Sequence, residues 1–450
     1  MKRLMTFGIL LACALRAAAA IDWGTVTGDV VLSPGDNETI GQAVLANVNR
    51  LTSITVPDGA VLSFDTDSMP LVPLKGAGEV RKISSATWTT GSTTTQQTAF
   101  DGHYVLASGI VKMSTGTSAR LFGSESATCV VADGATLQFA LAALAFTTPL
   151  HISGNGAKDA GGNDLGAIRV TTKMTDANSG PKTLVLDGDA LIVCTAAAYM
   201  NGATTLNGHT LTKLGNGGLN LQTGSMTGDE GGMTVGPGTS GAVANLVLKP
   251  NYSLGGDGDG PLTLESNSSL TMWNDSKVDR GIVVNGTSAK VALYDQYGTT
   301  YYKTWWTDTV RYLQGILLNE GAELNLSPSG LAARSLSVKG TISGKGSLRV
   351  DSGSGRLFIN GTENTFEGGV TLDGSAGTWV QLAGAGSFPN YGNVTGTAAK
   401  VVLRRDAGGT SWSDGDVGSF LSDAVLKNGS SVALNVDEMT DKAGEVVFGV

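Results

Sequence analysis

The densest concentration of side chains suited to recognition chemistry is Tyr294–Tyr312, which holds seven of the chain's nine Tyr and seven Trp residues. Tyr297, Tyr301, Tyr302, Trp305 and Trp306 alternate there with Asp295, Lys303, Asp308 and Arg311. Flat aromatic rings can stack on sugar rings while neighbouring charged groups bind hydroxyls, so the segment is a candidate glycan-binding surface. The plainer alternative is an insertion that packs over an edge of the fold.

A second candidate is Gly255-Gly256-Asp257-Gly258-Asp259-Gly260. Carboxylates on flexible Gly turns can gather oxygen ligands around a calcium ion, which makes Asp257 and Asp259 candidate ligands. The segment occurs once, without the recurrence of a calcium-binding roll, so a solvated turn is the favoured reading. No other cofactor is expected.

Catalytic signals are sparse. His103, His151 and His209 are far apart in sequence, and no nucleophile elbow or metal motif is present. Hydrolysis of a glycosidic bond needs two carboxylates facing one sugar, and elimination needs a base with charge neutralisation. Acids here are scattered, often in turn pairs such as Asp58-Gly59, Asp133-Gly134 and Asp187-Gly188. The chain therefore reads as a non-enzyme. A carbohydrate-active enzyme is the alternative, because stacked turns can bring distant carboxylates together without a sequence signal.

The elements that must position these residues are short strands. Gly numbers 64 of 450 residues, about twice the usual share, while charged residues are only 15%. One phrase recurs: a turn pair ending in Gly, then apolar residues at alternate positions. It is seen at Asp58–Phe64, Asp133–Phe139, Asp187–Val193, Asn285–Val291, Glu320–Leu326 and Asn428–Leu434. In Asn207–Leu221 it occurs twice, with Asn207-Gly208 and Gly217-Gly218 as the turns and Leu211, Leu214, Leu219 and Leu221 facing inward. Period-two alternation marks a half-buried strand, and Asn-Gly or Gly-Gly supplies the positive φ of a tight turn. A repeat near 20 residues, lengthened in places by loops, fits one coil of a parallel β-helix, so the expected class is an all-β solenoid.

The N-terminus reads as a secretion signal over residues 1–20: Lys2 and Arg3, the apolar stretch Leu4–Leu15, then Ala18-Ala19-Ala20. A rival reading makes Cys13 an acylated lipobox cysteine. Residues 21–57 suit an N-terminal cap with Thr39–Val48 as a short helix or strand, and residues 58–450 a repeat domain with an insertion near 294–312. Thr87–Thr98 suits an exposed strand or loop. Cys129 and Cys194 sit in strand-like runs and are expected as buried thiols, with a disulfide as the alternative. A net charge of −9 argues against nucleic acid, and no later apolar run is long enough to be a transmembrane segment.

Several stretches resemble the autotransporter-associated β-strand repeats of bacterial passenger domains. His209–Leu221 is similar to the family's run of Thr-Leu-Thr-Lys, spaced glycines and alternating Leu. Asn364–Leu372 is similar to its Asn-Thr-Tyr-Thr-Gly-Gly segment, and Pro149–Val170 to a stretch that often precedes such repeats. The resemblance implies a right-handed parallel β-helix, a secreted or outer-surface location and an adhesive or structural role toward extracellular glycan or cell-surface components. Self-assembly through exposed end coils is a further expectation. The sequence shows no C-terminal stretch matching the family's membrane barrel.

Overall fold

In the computed structural model, the described residues are 20–91, 97–114, 120–143, 145–175, 179–227, 230–238, 242–255, 259–273, 276–293, 312–328, 335–351, 355–374, 379–404, 412–427, 429–435 and 445–449. Residues 1–19, with the apolar stretch and Cys13, lie outside them.

The chain winds as a parallel β-solenoid of about 13 turns. Each coil from Ala198 onward places a strand in a ten-stranded parallel sheet and passes to a large sheet of 28 strands. That large sheet is two faces joined at Thr183–Cys194. The first half of this long strand pairs with Leu150–Gly154 and Ala203–Thr205, the second with Ile168–Val170 and Leu211–Leu214. The first face begins with Asn37–Gly41 pairing with Val61–Asp65 and continues through successive coils to Ser431–Asn435. At the N-terminal end the third side is a four-stranded sheet containing Asp29–Val31 and Ser53–Thr55.

Parallel pairing in register stacks like residues into columns. On the ten-stranded sheet one inward column runs Leu219, Leu246, Leu270, Val291, Leu326, Val350 and Leu372, all buried. One apolar core runs from Trp23 to Val432. Such a core grows by adding coils, and a chain of this length can be buried without a globular centre.

Both ends depart from the repeat. Near the N-terminus the strand Asn37–Gly41 is followed by a helical turn, Gln42–Val44 and Leu45–Val48, so Thr39–Val48 is strand and then helix. Asn47 donates to the carbonyls of Trp23 and Val26, both at 2.9 Å, and Trp23 donates to Glu38 at 3.1 Å. Near the C-terminus the helix Asp414–Asp423 packs Phe420 against Trp412 and Tyr391. The last strand, Glu445–Gly449, pairs antiparallel to Ser431–Asn435 and ends the parallel stacking of that face.

The repeat phrase forms as expected at several turns: Asn207 and Gly208 have φ of 51° and 77°, and Gly59, Gly134, Gly321 and Gly429 also have positive φ. Elsewhere the reading needs correction. Asp187-Gly188 is no turn but lies inside Thr183–Cys194. In the second phrase of Asn207–Leu221 the positive φ falls on Gly215, at 85°, and not on Gly217-Gly218. Gly217 has a different function: a Cβ there would lie 2.1 Å from the Ala196 carbonyl oxygen, so only Gly lets the coils approach. Leu214 is only half-buried, whereas Lys213 is fully buried. Thr87–Thr98 is not simply exposed, because Trp88 and Gln97 are buried and the Trp88 indole donates to the Thr66 carbonyl at 2.8 Å.

Candidate functional site

Strands of the ten-stranded sheet are followed in the chain by strands of the first face of the large sheet, and both sets pair in register from coil to coil, so their facing ends mark one edge of the solenoid. The connections include 249–252, 273–276, 294–311, 328–334, 351–355 and 374–378, each between one strand of the ten-stranded sheet and the next strand of the large one. The chain enters the aromatic-rich segment after Leu293 of the ten-stranded sheet and is described again from Tyr312 of the first face. Tyr297, Tyr301, Tyr302, Trp305 and Trp306 themselves lie outside the described residues.

Register sets other charged and aromatic side chains at this edge, around Trp273 and Trp379, and toward the opposite end of the first face, around Tyr312. Lys249 Nζ sits 3.4 Å from the ring centre of Trp273 and 5.8 Å from that of Tyr199. Burial pushes the Lys249 pKa down. Lys339 Nζ sits 3.6 Å over Tyr312, whose hydroxyl donates to Asp279. Ser253 donates to Asp279 at 2.9 Å and Lys277 lies 3.4 Å from it. Further along, Trp379 lies between Arg356 and Lys400, with the cations 5.8 and 5.6 Å from its ring centre. These three residues are consecutive in one column, each half-buried. Cations over aromatic faces gain electrostatic energy, about 0.5–1 kcal/mol at exposed sites.

A carboxylate organises the adjoining outer face of the ten-stranded sheet. Lys290, Asn325 and Arg349 stack in one column, and all three reach Asp351. Arg349 Nε donates at 2.8 Å, Asn325 Nδ2 donates, and Lys290 Nζ stands 3.7 Å away. Burial raises the cost of the Asp351 charge, but the hydrogen bonds from Asn325 and Arg349 and the nearby cations outweigh it. The pKa therefore lies below the ordinary carboxylate value. The same contacts, Asp351 first and then more weakly Glu323 and Asp373, hold the Arg349 pKa up. Three carboxylates from neighbouring coils thus gather around one guanidinium, the convergence that isolated sequence positions cannot reveal. Asp351 is held as an anion by two donors and a nearby lysine, which suits a counter-ion better than a proton donor.

The candidate calcium loop is divided. Asp257 lies outside the described residues, while Asp259 is turned to the buried Arg280, Oδ2 to Nη2 3.2 Å. Among the described residues no group of three or more His, Cys, Asp or Glu is placed to hold a metal ion. Cys129 and Cys194 are buried, free thiols, and burial raises the pKa of each, that of Cys194 to about 11. His151 pairs with Asp187 at 3.0 Å, both on strands, and His209 lies 3.9 Å from Asp189. No described helix is long and apolar enough to cross a membrane.

The solenoid is compatible with a passenger-type β-helix. No family model matches the chain, and no match is found among curated proteins or solved structures.

Proposed function

We propose that the protein is a secreted or cell-surface rod that presents one edge of its solenoid to glycan, matrix or a neighbouring cell. A stacked β-solenoid is suited to a structural or surface-type role in general. The observation that supports the finer reading is that two cation–aromatic stacks, at Trp273 and Trp379, lie at the edge where the aromatic-rich segment leaves the ten-stranded sheet, while a third, at Tyr312, lies across the first face where that segment returns. Aromatic faces beside hydrogen-bonding charges are what sugar recognition requires. The N-terminal signal-like stretch and the passenger-like repeats favour export, and the rod then acts mechanically, as a stiff spacer with an adhesive edge.

A glycan array probed with residues 21–450 tests this reading. Replacement of Trp305 and Trp306 by Ala is expected to weaken binding while the β-sheet circular dichroism is kept. Unchanged binding in the folded variant would remove the aromatic segment from the account.

A further inference from the structure

We propose that the second face of the large sheet, the side that carries Leu211–Leu214, is a track for a neutral, extended polysaccharide lying along the solenoid axis. The inference goes beyond the reading above, because this side does not border the edge between the ten-stranded sheet and the first face.

The track is one outward column. Register aligns Thr212, Thr234, Thr263, Val283, Leu317 and Ser343 on successive coils. Their neighbours within each strand point inward and are buried, from Leu211 and Lys213 to Ile316 and Leu318. The column itself is open. Leu317 is 40% exposed and the other five are half-buried. The hydroxyls of Thr212, Thr234, Thr263 and Ser343 have no hydrogen-bond partner among the described residues. The opening starts abruptly: Leu191 stands in the same column one coil before Thr212, yet is only 6% exposed.

The shoulders of the column differ. Two residues before it in successive coils stand Gly232, Pro261, Gly281 and Gly315, which leave that side low. Two residues after it Asn285 donates to Glu265 at 2.8 Å and Asn319 donates to Asn285 at 2.5 Å. That rim is hydrogen-bonded within itself, so the unpartnered hydroxyls of the column are the groups a ligand meets.

Three features choose the occupant. The column and its low shoulder carry no charge, which offers nothing to a polyanion or a basic peptide. Five coil steps of about 4.8 Å and a three-residue strand about 10 Å across make about 240 Å², well under the roughly 800 Å² that each partner of a stable protein complex covers. A single extended chain fits such a strip. Hydroxyls also flank an aliphatic middle, so sugar hydroxyls can exchange hydrogen bonds with the threonines while a pyranose C–H face lies on Val283 and Leu317. The coil rise is close to the advance of one pyranose, and successive sugars then meet successive coils.

The test measures retention of residues 21–450 on immobilised linear β-glucan, on polygalacturonate and on bare matrix at two salt concentrations, with β-sheet circular dichroism confirming that each variant is folded. The β-glucan should retain the protein equally at both salts, because no charge is involved, and polygalacturonate should not. Thr212→Val, Thr234→Val and Thr263→Val together keep the shape of the column and remove three hydroxyls, and affinity should fall about tenfold. Leu317→Lys, which puts a charge on the aliphatic middle, should lower it as well. Thr205→Val, an outward threonine of the first face, is the control and should bind as the parent does. Retention unchanged in the triple variant and in Leu317→Lys overturns the track. If those variants bind normally while Trp305→Ala with Trp306→Ala does not, the aromatic segment is the site and the track alone is overturned. A dimer that Leu317→Lys dissociates would make the strip a contact between copies instead. No retention on β-glucan removes the track, and the glycan array then decides the edge by itself.

Discussion

Arg280 and Asp259 form a buried ion pair across neighbouring coils, with Nη2 3.2 Å from Oδ2, while Arg280 Nη1 donates to the Gly231 carbonyl at 3.1 Å. One side chain thereby ties turns from three coils. The Arg280 side chain has no exposed surface. Gly255 lies against it: a Cβ at that position would come 2.3 Å from Nε, and its φ is 81°. The Gly-rich sequence around Asp259 is thus explained in part by the space the guanidinium occupies.

Removal of one partner from a buried pair leaves the other charged and unpaired. Asp259→Ala should destabilise the protein by about 3–5 kcal/mol, measured as the shift in urea unfolding. The loss should be the same with and without added calcium. A calcium-dependent rise in the melting temperature of the parent, absent in the variant, would instead restore Asp259 as a metal ligand. Gly255→Ala should also destabilise, through strain and the clash with Arg280.

Two lysines lie inside the solenoid. Lys213 Nζ donates to the Gly215 carbonyl at 2.6 Å, and Lys82 Nζ to the carbonyls of Ser84 and Ser108 at 2.5 and 2.8 Å. Burial lowers the pKa of each from 10.5 to about 8, against smaller opposing effects of Cys194 and Asp65. The folded state thus releases these protons before the unfolded state does. Between pH 8 and 10.5 the unfolded chain binds more protons, so their contribution makes stability rise with pH. Above pH 9 the buried thiols, whose folded pKa values are raised, act in the opposite sense. Urea midpoints should therefore increase from pH 7.5 to 9. Lys82→Met with Lys213→Met should flatten that rise and stabilise the protein at pH 7 by about 1 kcal/mol. A flat profile in the parent would contradict this assignment.

Asp351 neutralises Arg349 of its own coil and Lys290 from two coils earlier at a partly exposed site. Asp351→Ala should cost about 0.5–1 kcal/mol in thermal unfolding at low salt, with the difference shrinking in high salt. A loss independent of salt would mean that packing, not charge, is what Asp351 supplies.

The helix Asp414–Asp423 begins at a capping box, in which Ser413 Oγ accepts from the Asp416 amide at 3.1 Å and Asp416 accepts from Ser413. Ser413→Ala should cost about 1 kcal/mol. Hydrogen exchange should quicken first in this helix and in the strand Val425–Lys427 beside it. Uniform quickening along the rod would show that the C-terminal coils do not open separately.

The solenoid was legible in the sequence wherever local chemistry dictates local geometry. Asn207-Gly208 reads as a turn because those residues tolerate positive φ, and Leu219 and Leu221 read as core because alternation points them one way. Lys213 was not legible. An amine in an inward position contradicts the hydrophobic pattern, and only the next turn's carbonyl, at Gly215, compensates it. Gly217 misled for a related reason, since its missing side chain serves the approach of Ala196 from the coil before. The edge was harder still: Arg356, Trp379 and Lys400 are separated by unequal coil lengths, so no fixed period aligns them. Their adjacency follows from register, which the sequence does not display.

The most direct test of the account is incubation of residues 21–450 with a panel of polysaccharides, reading both retention on the protein and the chemical state of the polymer afterwards. A binding rod predicts retained polysaccharide of unchanged length with no new ends. New reducing or unsaturated ends would contradict it and would make the carboxylates around Arg349 the first place to seek a reaction.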